Sequence, residues 1–280
     1  MQKMAVIGTG TMGIGIAYIF AANGWTSTIV VPEQSQQELA YQQIVAIAAD
    51  GVRQGKVTEP LGAKLIGNID FKANVLELPN NLDLIIESAS ETFELKQNIL
   101  RQSEAVNPKV LATSTSSLSI KALAKTLVAP EKFLGLHFFN PAWDYRVVEV
   151  LKGPLTGSSA LSATQTYLES IDKESAVISD SPGYATNRLE LIVALEAMRM
   201  VEAKVATPTH IDLLMKSAYG HPVGPLELSD IVGLDIRLDF AISLSEDLGE
   251  RFAPPQLLIE LVKAGKLGKK SGEGFYKWTL

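Results

Sequence analysis

Apolar and polar positions follow two rhythms along this chain, and the change between them falls near Pro182. Before it, short apolar runs recur at Met4–Ile7, Ser27–Val31, Leu82–Glu87, Val110–Thr113, Phe133–Phe138 and Val147–Leu151. Such runs predict strands buried on both faces, as in a parallel sheet. Between them, helical spacing predicts helices that run to about Asn23 and over 33–53, 59–66, 91–105 and 158–171. Strand alternating with helix predicts an α/β, Rossmann-type, doubly wound and mostly parallel sheet. From Tyr184 onward the spacing is helical, over 184–205, 209–218, 226–247 and 255–264, with His221–Pro225 as a breaker. The one strand-like piece there is the Gly272–Trp278 tail. This divides the chain into a sheet domain, 1–183, and an all-helical domain, 184–280. The apolar helix 189–201 is expected to pack and to dimerise.

Composition narrows the classes. The 280 residues are 46% apolar and 20% charged, as in a soluble globular protein. A net charge of −6 provides no basic footprint for nucleic acid or an anionic membrane. With no cysteine there is no disulfide, thiolate nucleophile or thiolate-held metal, and no metal site is expected. The first strand begins at once, leaving no room for a targeting segment, and no apolar run is long enough to span a bilayer. The expectation is a cytoplasmic protein.

The stretch Ala5–Phe20 carries the first chemistry. Gly8-Thr-Gly10-Thr11-Met12-Gly13 lies between a strand and a helix, the setting in which G-x-G-x-x-G binds a dinucleotide. Gly8 permits the tight turn, Gly10 the approach of a pyrophosphate, and Gly13 close packing of helix on strand. The helix start then offers N–H groups and a positive dipole end to the phosphates. A ligand on such a sheet lies across the strands' carboxyl ends. The candidates there are Ser88–Glu91 (with Ala89), Ser114–Ser117, and His137-Phe-Phe-Asn140-Pro141. Glu149 lies in the following strand, and Asn187 begins the helical domain. Position leaves two readings of His137 open: a proton acceptor steadied by Glu149, or an interior histidine whose neighbour is a surface charge. On residue type alone the Ser/Thr run 113–117 reads as a polar loop capping the helix at Ile120, the alternative being a hydroxyl that reaches a substrate carbonyl.

Together these residues resemble the L-3-hydroxyacyl-CoA dehydrogenase family, in particular its short 3-hydroxybutyryl-CoA dehydrogenase branch. The resemblance spans nearly the whole chain: GTGTMGIGIA, residues 87–96, TSTSSLSI, GLHFFNP, VVEV, DSPGYATNR, HPVGPLELSDIVGLD and GKKSGEGFY. It implies an NAD-dependent oxidoreductase acting on a short 3-hydroxyacyl thioester, in a homodimer formed through the helical domain. It also implies His137 as general base, Glu149 as its orienting partner, and Ser116 and Asn187 as substrate contacts. Glu91, Lys96, Asn140 and Lys270 match cofactor-contacting positions. A non-catalytic binder on the same fold and a dehydrogenase of free hydroxy acids are the other classes; Phe138-Phe139 argues against the second.

Four positions depart from the family pattern. Val31 stands where an acidic residue takes the adenosine ribose; Glu33 is two residues on, and no Arg or Lys is near in the chain for a 2′-phosphate, so NAD is expected. Ser114 replaces an asparagine beside the nicotinamide. Asp50 and Gln54 stand where bacterial members carry phosphate-pairing lysines, leaving Arg53 and Lys56 as the basic residues there. Finally, Ala142-Trp143-Asp144-Tyr145-Arg146 puts bulk and charge along the acyl pocket, with Trp143 and Arg146 as substrate contacts. The last two departures suggest an alternative substrate: a short polar 3-hydroxyacyl group, such as glyceryl, carried as a pantetheine thioester on a carrier protein.

Overall fold

A computed structural model describes residues 2–55 and 58–279. The chain forms two compact units, Met1–Ser181 and Pro182–Leu280.

The first unit runs β1 (Lys3–Ile7), α1 (Thr11–Ala22), β2 (Thr26–Val30), α2 (Gln34–Arg53), α3 (Glu59–Gly67), β3 (Ile69–Lys72), β4 (Leu84–Glu87) and α4 (Phe93–Glu104). It continues with β5 (Val110–Thr113), α5 (Ile120–Ala124), β6 (Phe133–His137), β7 (Val147–Lys152), α6 (Ser158–Glu169) and β8 (Glu174–Ser179). The eight strands form one sheet in the order β3-β2-β1-β4-β5-β6-β7-β8. All neighbours are parallel except β6 and β7. Parallel pairing needs crossovers, and the helices between strands supply them, so both faces of the central strands are covered. Ile85, Ile86, Ala112 and Leu134 are accordingly fully buried. On one side Trp25 sits edge-on to Phe20 and Tyr167, at ring distances of 5.0 and 5.2 Å, while its indole N–H donates to Ser170 Oγ.

Strands β3 and β8 escape the apolar rhythm of the chain. Both are sheet edges with half-exposed residues, so neither carries the apolar run that marks a buried strand. β3 is short and bears Asp70 and Lys72, and β8 opens on Glu174.

The second unit is helical: α7 (Thr186–Glu202), α8 (Pro208–Tyr219), α9 (Pro225–Val232), α10 (Leu234–Leu248) and α11 (Gln256–Lys263). A single helix over 226–247 is not what forms. Gly233 takes a φ of +109° and breaks it into α9 and α10. The tail forms no strand among the described residues, only bridges of Glu273 with Gly268 and Lys277. Two buried carboxylates hold it instead. Asp230 accepts the Phe275 and Tyr276 N–H groups and the Trp278 indole N–H, each at 2.9 Å. Asp212 accepts the Leu226 and Glu227 N–H groups and the Tyr276 hydroxyl. Burial, then the Asp212 hydrogen bond, pushes the Tyr276 hydroxyl well above the usual phenol range.

Asp230 is fully buried, so replacing it with Ala strands three donors with no water to take them. Asp230→Ala should lose about 3 kcal/mol of unfolding free energy in urea titration. A loss below about 1 kcal/mol would show that Asp230 does not anchor the tail.

Candidate active site

The site is built where the sheet's strands end. Gly8 closes β1 at a φ of +117°, and its N–H donates to the Val30 carbonyl. A Cβ there would lie 2.4 Å from the Ser88 carbonyl oxygen, and one on Gly13 would lie 2.3 Å from that of Gly8. Any larger residue would push β1, β4 and α1 apart. Gly10 differs: a Cβ on it would meet nothing within 4 Å, so its outer side is open. Gly10 also precedes α1 without a side-chain cap, and the first turn holds no acid. The N–H groups of Thr11, Met12 and Gly13 lack intrahelical acceptors by helix geometry. An open glycine before an uncapped, acid-free helix start fits a dinucleotide pyrophosphate.

The ribose end is less usual. Val31 is buried, so its side chain presents no acceptor there. Glu33 is exposed, and its carboxylate accepts Gln36 Nε2 at 2.8 Å. The fold brings Lys72 close, since the Val31 N–H donates to its carbonyl, but the Lys72 ammonium pairs with Asp70 at 3.2 Å.

A buried ionic network ties the ends of β4 and β5. Lys96, 1% exposed, donates to both Glu87 oxygens at 2.9 and 3.1 Å and to the Ala89 carbonyl. Thr113 Oγ1 and the Ala89 N–H also donate to Glu87, each at 2.6 Å. Glu91, 3.3 Å from Lys96 Nζ, accepts the Ser116 and Ser117 N–H groups, Ser117 Oγ and Thr115 Oγ1. Burial alone would raise the Glu91 carboxyl. The Thr115 hydroxyl, the Lys96 charge and the Ser117 hydroxyl outweigh it and hold that carboxyl below the usual range. Ser114 Oγ donates to Ser88 Oγ at 2.9 Å, joining the two strand ends a second time.

His137 is the last residue of β6, and the antiparallel register sets Glu149 of β7 directly across from it. The His137 Nδ1 to Glu149 Oε2 distance is 2.6 Å, with Glu149 2% exposed. An ionised Glu149 can only accept, so it fixes the proton on Nδ1 and makes Nε2 the basic nitrogen. The ring of Phe139 lies 5.1 Å from the imidazole and 5.7 Å from that of Tyr145.

The chain from Pro141 to Arg146 then walls a cavity of about 740 Å³ together with α1, α2 and residues 171–173 just before β8. Trp143, edge-on to Tyr18 at 5.8 Å, forms part of the wall. So do Asp50, Gln54, Asp144, Asp172 and Lys173. The cations at this rim have partners: Arg53 pairs with Asp50 at 3.0 Å, and Arg146 with Glu174 at 3.3 Å. Burial lowers the Lys173 ammonium against the opposing pull of Asp172 and Asp144. Lys56 lies outside the described residues.

In the second unit Asn187 stands in the first turn of α7. Lys270 follows Gly268 in a short turn, and its ammonium pairs with Asp235 at 2.6 Å. Among the described residues no group of three His, Asp or Glu is arranged to hold a metal ion. No helix among them is long and apolar enough to cross a membrane.

Residues 3–181 match the model of the 3-hydroxyacyl-CoA dehydrogenase NAD binding domain, and residues 183–278 match that of the C-terminal domain. The chain belongs to the 3-hydroxyacyl-CoA dehydrogenase family. Within it, a 3-hydroxybutyryl-CoA dehydrogenase of Mycobacterium tuberculosis is 36% identical over 99% of this chain and 99% of its own length. A 3-hydroxybutyryl-CoA dehydrogenase of Clostridioides difficile is 33% identical over 99% of this chain and 100% of its own. The crystal structure of (S)-3-hydroxybutyryl-CoA dehydrogenase from Ralstonia eutropha, 30% identical, superposes with a TM-score of 0.93 over 100% of this chain and 99% of that one.

This 3-hydroxyacyl-CoA dehydrogenase relative is thus an NAD-dependent oxidoreductase, and its glycine turn fits the cofactor. One residue of its strand-end network escaped sequence reasoning: Glu87, although a lone carboxylate closing an otherwise apolar strand was a signal. Thr113 and Thr115 lay in the Ser/Thr run already singled out, and only Glu87 and Glu91 beside them show what their hydroxyls hold.

Proposed function

We propose that this dehydrogenase interconverts a short-chain (S)-3-hydroxyacyl thioester and its 3-oxoacyl thioester, with NAD as redox partner. The observation that carries the proposal is the 2.6 Å His137–Glu149 hydrogen bond at the carboxyl edge of the sheet. NAD supplies the ring that takes the hydride from C3. In the oxidative direction His137 Nε2 takes the 3-hydroxyl proton, and Nδ1 keeps its own on Glu149. The imidazolium so formed faces a buried carboxylate, which stabilises it. In the reductive direction the same nitrogen returns the proton. Ser116 and Asn187 are assigned to hydrogen-bond the reacting oxygen, lowering the barrier as charge builds there. The phosphates of NAD are assigned to the Gly8–Gly13 turn, and Ala89, Glu91, Lys96, Ser114, Asn140 and Lys270 to its nicotinamide side.

The cavity walled by Trp143 favours a second reading of the thioester. Its rim carries Asp50, Asp144 and Asp172; Arg53 and Arg146 already serve carboxylates, and the buried Lys173 ammonium donates to the Tyr145 carbonyl. A nucleotide phosphate entering there meets repulsion where it needs a cation. A pantetheine thioester on a carrier protein brings no such phosphate. A short polar acyl group such as glyceryl suits the same charged wall.

The helical unit supports assembly as a homodimer. Leu189, Val205, Leu213, Leu214, Tyr219 and Ile236 are each more than half exposed, apolar side chains that a subunit contact would cover. A second copy of this chain is the assigned occupant, because the same face on both copies makes an isologous contact.

Three outcomes test these assignments. His137→Asn should cut kcat for NADH formation by about 10²- to 10⁴-fold with the fold intact, and Glu149→Gln should fall between it and wild type. Retention of more than about a tenth of kcat in His137→Asn removes the imidazole from the reaction. On the carrier reading, acetoacetyl-pantetheine matches or exceeds acetoacetyl-CoA in kcat/KM, and Asp50→Lys/Gln54→Lys raises the CoA value by about tenfold; a strong CoA preference in wild type excludes that reading. In sedimentation the protein should run as a dimer and Leu213→Glu/Leu214→Glu as a folded monomer; a monomeric wild type overturns the assembly.

A further inference from the structure

Ser116 lies in a turn, residues 114–119, with neither strand ladder nor helix hydrogen bonds to hold it. One carboxylate gathers this turn. Glu91 Oε1 accepts the Ser116 N–H at 3.0 Å, the Ser117 N–H at 3.1 Å and Ser117 Oγ at 2.9 Å. Glu91 is itself partly exposed, and its other oxygen is held from the sheet side. The anchor is Lys96, whose ammonium reaches Glu91 Oε2 at 3.3 Å from a position 1% exposed. Lys96 is fixed in turn by Glu87, which is fully buried at the end of β4 with both oxygens engaged.

Burying a lysine and a glutamate is costly, and an apolar pair of similar volume often stabilises a core as well or better. The residues before Glu87, Leu84–Ile86, are all apolar. Packing alone therefore gives no reason for a charge at position 87. Its visible consequence is that a cation is held where Glu91 needs one. We infer that Glu87 is a positioning residue: through Lys96 and Glu91 it fixes the turn that presents Ser116 to the reactants. The inference rests on the dehydrogenase reading for its kinetic consequence, but not for its structural one.

Two variants separate positioning from packing. Glu87→Gln keeps the shape and removes the charge. Glu87→Met/Lys96→Met removes both charges together, so no buried charge is left without its counter-charge, although Thr113 Oγ1 and the Ala89 N–H lose an acceptor. In both, amide hydrogen exchange at Ser116 and Ser117 should speed up by about tenfold or more, while Ile86 and Ala112 in the sheet stay protected. In both, kcat should fall by about 10- to 100-fold, the mark of a misplaced group near the reacting atoms. The double variant should recover part of the melting temperature lost by Glu87→Gln and still not recover kcat. Unchanged exchange at Ser116 and Ser117, or wild-type kcat in the double variant, overturns the inference. If the wild-type enzyme oxidises no hydroxyacyl thioester, the dehydrogenase reading fails, and the exchange measurement still decides the positioning.

Discussion

The antiparallel pairing of β6 with β7 is the constraint on which the chemistry depends. A sheet with all eight strands running one way would leave His137 at a carboxyl edge with no strand returning beside it. The reversal places Glu149 directly across, at a buried position where a carboxylate needs a hydrogen-bond donor. Each residue of the pair supplies what the other lacks: the acid finds a partner for its charge, and the imidazole acquires a defined tautomer. The turn between the two strands then walls the cavity, so one reversal of direction both pairs His137 with Glu149 and builds the neighbouring pocket.

Much of this was legible in the chain because several independent signals agreed. An apolar strand, a glycine turn and a helix in that order admit few structures, and β1, α1 and the open side of Gly10 follow. His137 was legible in position, with its role implied only by the family resemblance; what the register adds is that Glu149 lies buried directly across from it and is no surface charge. β3 and β8 were hidden for a physical reason: as edges they bury little, so burial leaves no periodic trace in them. The break at Gly233 was masked by apolar spacing that runs on through it, because periodicity records which face is buried and not where the backbone bends.

The acidic groups do three different kinds of work here. Asp212 and Asp230 act as buried acceptors that replace a missing strand in the tail. Glu87 and Glu91 form a ladder through Lys96 from the sheet interior to an irregular loop. Asp50, Asp144 and Asp172 line an open rim and set what charge may approach it. A net charge of −6 says nothing about this division. Burial and donor count do.

The open sheet has a further consequence at its two rims. β3 and β8 each leave one row of backbone donors and acceptors without a neighbouring strand, a template onto which another extended chain can crystallise. Asp70 and Lys72 on one rim and Glu174 on the other would have to lose their hydration for that to happen. The polar character that made these strands hard to read is therefore also what guards the molecule against fibrous association.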